Sequence, residues 1–119
     1  MALRILAAVR TEEADLGIGS FGALGAEFET SALLEDRMVA VMPRRHPLAA
    51  RESITMREAA AHPLVLMDTQ SSVRAVVESA LRAESASAAP AYEVTYMSTA
   101  VGFVQAGLWV AILPATALE

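Results

Sequence analysis

Cysteine is absent from this 119-residue chain, and histidine occurs only twice. Without cysteine the chain has neither disulfides nor thiolate ligands for a metal. His46 and His62 each precede a proline, and no His-x-x-x-His spacing is present. The sequence therefore predicts no metal site and no cofactor, and the lack of disulfides fits a cytoplasmic protein.

Long apolar runs and basic clusters are also missing. No run approaches the roughly 20 uninterrupted apolar residues that a membrane span needs, so no membrane partner is expected. The formal net charge is −5, and Arg44 and Arg45 form the only pair of adjacent basic residues. A duplex-binding surface needs several cationic side chains on one face, so this chain alone is not expected to bind nucleic acid.

Sequence patterns typical of enzymes are absent or incomplete. No serine lies in a Gly-x-Ser-x-Gly elbow, and no pair of carboxylates lies in settings that would separate their pKa values. The residue types at 17–22 fit the Gly-x-Gly-x-x-Gly pattern of dinucleotide-binding sites, but a glycine-rich loop follows where a helix is required. The acidic pair Glu35-Asp36 also comes too early, so the sequence predicts neither nucleotide binding nor catalysis.

What the chain does contain is apolar residues in alternating helical and strand patterns. Hydrophobic residues make up 55% and charged residues 19%, which is typical of one globular domain. The spacing predicts helices at 2–10, 55–62, 72–84 and 99–106, and strands at 14–19, 33–42, 64–67, 92–97 and 109–113. Strands alternating with helices predict βαβ units and a mainly parallel sheet.

The most informative stretch is residues 64–74, where a buried strand stops at a polar turn and two serines open a helix. Ligands of open α/β sheets lie beyond the carboxyl ends of the strands, and a helix N-terminus favours an anion. Ser98 and Thr99 follow the next strand in a related way. The sequence therefore predicts a small-molecule pocket lined by Thr69, Gln70, Ser71, Ser72, Ser98 and Thr99.

The serines and Thr99 of this group, and the nearby Arg74, each have an alternative role. Ser71 and Ser72 are as well explained by capping the helix as by contacting a ligand, and one serine can do each. For Ser98 and Thr99, capping alone is slightly favoured. Arg74 lies in a first helical turn, where a positive charge opposes the dipole. A pair with Glu78 is the expected explanation, and a ligand carboxylate is the alternative.

Three longer motifs carry a family resemblance. In their order and spacing, residues 9–19, 34–49 and 104–114 resemble the effector-binding domain of LysR-type transcriptional regulators. The resemblance covers essentially the whole chain. It implies an α/β fold like that of type 2 periplasmic binding proteins, with a mainly parallel sheet flanked by helices. One departure is Trp109, where the family usually has glycine.

The resemblance also implies a division of the chain and a role for it. Residues 1–32 correspond to a fragment of the first effector-binding subdomain, and residues 33–119 to a nearly complete second one. A small, anionic organic effector is expected in the cleft between them, with Gly19, Ser20 and Phe21 on the first side. Phe21 packs either on the effector or in the core. A homo-oligomer is expected, and DNA binding belongs to a headpiece absent from this chain.

Rival functions exist on the same fold, because fold alone does not fix function. A solute-binding protein should carry an export signal, and an enzyme should show a nucleophile with its base or a metal cluster. The sequence shows none of these. A further alternative is that the chain binds nothing because half of its cleft is missing.

Overall fold

A computed structural model of the chain describes residues 2–19, 21 and 24–118. Within these residues the elements, in order, are α1 (Ala2–Arg10), β1 (Met38–Val41), α2 (Met56–Ala60), β2 (Leu64–Met67), α3 (Ser72–Ala83), β3 (Pro90–Val94), α4 (Met97–Gln105), β4 (Val110–Pro114) and a 3₁₀ helix (Ala115–Leu118). The predicted alternation of strands and helices is confirmed from β2 onward.

The strands form one four-stranded sheet in the order β1-β4-β2-β3. β2 lies in the middle and pairs in parallel with both β3 and β4, whereas β1 pairs antiparallel with β4. The apolar run of β2 is buried at all four positions, as expected for a strand covered on both faces. The mainly parallel sheet predicted from the sequence is therefore confirmed.

Helices cover both faces of the sheet because neighbouring side chains of a strand point to opposite faces. Val65 and Met67 of β2 pack with α4, whereas Leu64 and Leu66 pack with α2 and α3. On α3 the residues buried in the core are spaced by four, at Val73, Val77 and Leu81. Val76 is also apolar but is 50% exposed, because it lies to one side of the stripe formed by these three residues.

Two strand predictions in the first part of the chain are corrected. Residues 14–19 form no strand, and Leu16 and Ile18 are 72% and 68% exposed. A strand needs a neighbour for its backbone hydrogen bonds, and the described residues provide none here. The strand predicted at 33–42 shortens to Met38–Val41, because β4, its partner within the described residues, pairs with it from Ala111 to Pro114.

The start of α2 and the end of α4 are each set by residues next to the helix. Thr55 caps α2: its hydroxyl accepts from Glu58 N at 3.0 Å, and the Glu58 carboxylate accepts from Thr55 N at 3.0 Å. Gly107 follows α4 with a φ of +84°, a conformation that glycine adopts without strain.

Trp109, two residues beyond Gly107, also has a positive φ, of +52°. Its ring stacks on Tyr92 with the ring centroids 5.0 Å apart, and lies 6.1 Å from Phe103. The glycine that is usual at this position in the resembled family is therefore explained by the left-handed backbone.

Candidate functional site

The sheet brings the two predicted polar loops to the same edge. β2 and β3 are adjacent and parallel, and Asp68 N extends their ladder by donating to Val94 O at 2.9 Å. The loops that follow them therefore leave the sheet side by side and lead into α3 and α4. We refer to residues 68–72 as the β2–α3 loop and to residues 95–96 as the β3–α4 loop.

The β2–α3 loop is an ordered turn held by its own hydrogen bonds. The Asp68 carboxylate accepts from Gln70 N at 3.0 Å, and the Asp68 carbonyl accepts from Ser71 N at 3.0 Å. The side chains of Thr69 and Gln70 are exposed. Sequence reasoning missed the role of Asp68, although an aspartate directly after a strand is a known signal for such a turn.

The two serines at the start of α3 have different roles. Ser71 is the N-cap, and its hydroxyl accepts from Val73 N at 3.1 Å. Ser72 is the first helical residue, is half-buried, and has no hydrogen-bond partner for its hydroxyl within residues 24–118. The capping prediction is thus correct for Ser71, and the Ser72 hydroxyl remains free for another partner.

The start of α4 differs from the prediction. The helix begins at Met97 with Tyr96 as its N-cap, and Tyr96 makes no side-chain capping bond. The expectation that Ser98 or Thr99 caps this helix is therefore wrong, since both lie exposed in its first turn. The helix starts earlier because Met97 packs on the core beneath it.

Both helices leave backbone N–H groups free at this edge. Ser72 N and Arg74 N in α3, and Met97 N and Ser98 N in α4, have no acceptor within the described part of the chain. Such groups carry the positive end of the helix dipole and attract anions. The arrangement can therefore bind an anion through backbone donors.

Arg74 adds charge to this edge, but that charge is already paired. Its Nε donates to Glu78 at 2.8 Å, and its Nη1 donates to Glu93 at 2.6 Å and to the carbonyl of Met67 at 2.9 Å. Desolvation opposes the charge, but the hydrogen bonds with Glu78 and Glu93 outweigh it and raise the pKa of Arg74. The expected pair with Glu78 is confirmed, and Glu93 is a partner that sequence reasoning missed.

Two of the residues predicted on the other side of the cleft line a cavity beside α1. Gly19 and Phe21 line a cavity of about 810 Å³ formed by α1 and by residues from the ranges 15–19 and 24–34, together with Asp36 and Thr116. A side chain at Gly19 would begin 2.9 Å from the Phe21 ring, so this glycine allows the ring to pack there. Ser20 lies outside the described residues.

Neither of two cavities in the described part of the chain contains both groups of predicted residues. The cavity beside Phe21 includes none of the β2–α3 loop or the first turn of α4. A second cavity, of about 660 Å³, follows β1 and residues 44–54 and contains none of the predicted residues. The candidate site is therefore the open edge of the sheet where α3 and α4 begin.

The family model for the LysR substrate binding domain matches residues 2–119. The chain belongs to this family. A relative from Escherichia coli K12, the HTH-type transcriptional regulator YbhD, is 27% identical over 110 residues, which cover 92% of this chain and 35% of that protein. This chain therefore spans about a third of the length of that relative.

Two solved structures show the same fold as this LysR-family chain. The effector-binding domain of QuiR in complex with shikimate matches with a TM-score of 0.83 and 23% identity, over 93% of this chain and 53% of that one. The regulatory domain of CcmR from Synechocystis PCC6803 in complex with 2-PG matches with a TM-score of 0.83 and 19% identity, over 97% and 55%. The fold is thus that of LysR effector-binding domains, which resemble periplasmic binding proteins.

Two further observations concern the chemistry available to this LysR-family chain. Within residues 2–19, 21 and 24–118, His, Asp and Glu side chains do not form any group of three that could hold a metal ion. None of the helices in that part of the chain has the length and apolarity required to cross a bilayer.

Proposed function

We propose that this LysR-family domain is the effector sensor of a DNA-binding transcriptional regulator and binds a small organic anion. The observation that carries the proposal is the pair of helix starts at one edge of the sheet, whose N–H groups have no acceptor in the described residues. Such donors suit a carboxylate. The similar domain of QuiR, which is in complex with shikimate, supports the same ligand class.

In this proposal the effector lies in a cleft between two subdomains. Residues 1–32 belong to the first subdomain, and residues 33–119 form most of the second. The second contributes Thr69, Gln70, Ser71, Ser72, Ser98 and Thr99, and the first contributes Gly19, Ser20 and Phe21. Ser72 is the serine proposed to contact the ligand, because its hydroxyl has no partner within residues 24–118, whereas the orientation of Ser71 is fixed by the bond that its hydroxyl accepts from Val73 N.

Ligand binding would then control the regulator through a shift in conformation. An effector that prefers one cleft geometry by about 1–3 kcal/mol changes the balance of states enough for a usable switch. The domain itself would catalyse nothing and would act in the cytoplasm. It would assemble with a second copy, and a separate headpiece would contact DNA.

The test is a thermal melt of the chain with and without a panel of small carboxylic acids that includes shikimate. Saturation at 100 times Kd stabilises a folded chain by about 2.7 kcal/mol, so the matching acid is expected to raise Tm by several degrees. Ser72→Ala should strongly reduce that rise. Ser79→Ala is the matched control, because Ser79 is exposed in the middle of the same helix.

Three results bear on the proposal. A rise with one acid that is lost in Ser72→Ala but kept in Ser79→Ala supports an effector site at the start of α3. A cooperative melt that no acid moves contradicts binding of this ligand class by the chain. A rise that survives Ser72→Ala places the ligand elsewhere and contradicts the proposed site.

A further inference from the structure

Arg74 occupies an unusual position for a cation. It is the third residue of α3, where a positive charge opposes the helix dipole, yet its side chain is only 11% exposed. Arginines in two other ion pairs of the chain, Arg10 and Arg51, are about half exposed. An unfavourable position that is nevertheless well buried suggests that the contacts made by this side chain serve a purpose.

The contacts of Arg74 join the two ends of the β2–α3 loop. Met67 is the last residue of β2, and its carbonyl accepts from Arg74 Nη1 at 2.9 Å. Arg74 itself lies in the first turn of α3, so this bond closes the chain around residues 68–73. The hydrogen bonds of Gln70 N, Ser71 N and Val73 N lie inside the closed segment.

The two carboxylates hold the guanidinium in place. Glu78 is one turn further along α3, and Glu93 lies on the edge strand β3. Together they fix the guanidinium from two directions and offset its charge. An anionic ligand at this edge therefore meets a compensated arginine, and its attraction comes from the free N–H groups of the helix starts.

From these contacts we infer that Arg74 is a positioning residue of the effector site: it holds the β2–α3 loop in the shape that presents Ser72 and the free N–H groups of α3. The part of the inference that calls this an effector site rests on the proposed function. The mechanical part, that Arg74 orders this loop, holds for the ligand-free chain and is tested there.

The test measures amide hydrogen exchange by NMR in the full ligand-free chain and in three variants. In Arg74→Met the amides of Gln70, Ser71 and Val73 should exchange at least about tenfold faster, because the loop loses the hydrogen bonds of Arg74 and opens locally. The amides of Val77 and Leu81, deeper in α3, should keep their rates.

Two further variants sharpen the comparison. Arg74→Lys should give intermediate rates, because an ammonium group can bond the Met67 carbonyl but lacks the planar fork that also holds two carboxylates. Arg82→Met is the matched control: Arg82 is exposed in the last turn of the same helix, and it forms no ion pair within the described residues. It should leave the loop amides unchanged.

Either of two results would overturn the inference. Unchanged loop amides in Arg74→Met would show that the loop orders itself. Equal acceleration of the loop amides and of Val77 and Leu81 would show a general loss of stability without any positioning. Because exchange is measured without ligand, these outcomes are separate from a failure of every acid to raise Tm, which would count against the proposed function alone.

Discussion

At the scale of single residues, Trp109 shows how one backbone angle shapes a side-chain cluster. Its φ of +52° is rare for a bulky residue and costs roughly 1–2 kcal/mol relative to a relaxed conformation. In return the indole stacks on Tyr92, which in turn packs on Phe103 with the ring centroids 4.9 Å apart. The resemblance to a glycine-bearing family marked this position from the sequence. The stacked rings could not be foreseen, because they come from β3, from α4 and from the residue before β4.

Replacing Trp109 by glycine and by alanine separates the backbone strain from the stacking of the indole ring. Both variants lose the stacked rings, but only glycine relieves the left-handed backbone, so Trp109→Gly should be more stable than Trp109→Ala by about 1 kcal/mol. Urea unfolding followed by circular dichroism measures the difference. An alanine variant as stable as the glycine variant would contradict the strain at this position.

His46 provides a pH dependence at the same scale. Its Nδ1 accepts from Leu48 N at 3.1 Å, and its ring lies 4.7 Å from that of His62. Desolvation and the neighbouring His62 lower the pKa of His46 below 6.5. The unfolded chain therefore binds the proton of His46 more readily than the folded chain does. The contribution of His46 to the free energy of unfolding is complete above pH 6.5 and is lost as the pH falls through the lowered pKa.

The variant His46→Asn tests that pH dependence. An asparagine side chain can also accept from the N–H two residues on, but it does not titrate. The fall in Tm between about pH 7 and pH 5 should therefore be smaller in His46→Asn than in the parent chain. Equal slopes in the two proteins would show that His46 does not control stability in this range.

At the scale of elements, a sequence pattern is informative when the residues that form the hydrogen bonds lie close together in the chain. The start of α2 needed only Thr55 and Glu58, three residues apart, and both bonds of the capping box are present. The strand predicted at 14–19 failed because a strand depends on a neighbour that no local pattern reveals. The end of β3 was placed too late, because Tyr96 leaves the strand to cap α4.

The capping box of α2 predicts a measurable loss on mutation. Thr55→Ala removes the acceptor for Glu58 N and should lower stability by about 1 kcal/mol, or Tm by about 4 °C. Thr55→Ser keeps the hydroxyl and should stay close to the parent chain. If serine proves as destabilising as alanine, the threonine acts through its methyl group and the capping role is wrong.

At the scale of the whole molecule, the sequence predicted the main features of the sheet, whereas the cleft stays a prediction. The βαβ order places the starts of α3 and α4 at one edge, because the carboxyl ends of neighbouring parallel strands coincide there. The hydrogen bonds that make Arg74 part of this edge cross from α3 to β2 and β3 and have no local signature. Gly19 and Phe21 line a cavity that contains none of the residues at this edge.

The antiparallel pairing of β1 with β4 also sets the order in which the chain can fold as it is synthesised. Of the four described strands, β1 leaves the ribosome first and its partner β4 leaves it last. β2 and β3 can pair through α3 while β4 is still inside the ribosome. Throughout that interval Met38–Val41 keeps its backbone groups unpaired, which makes this strand the segment of the nascent sheet most open to wrong partners.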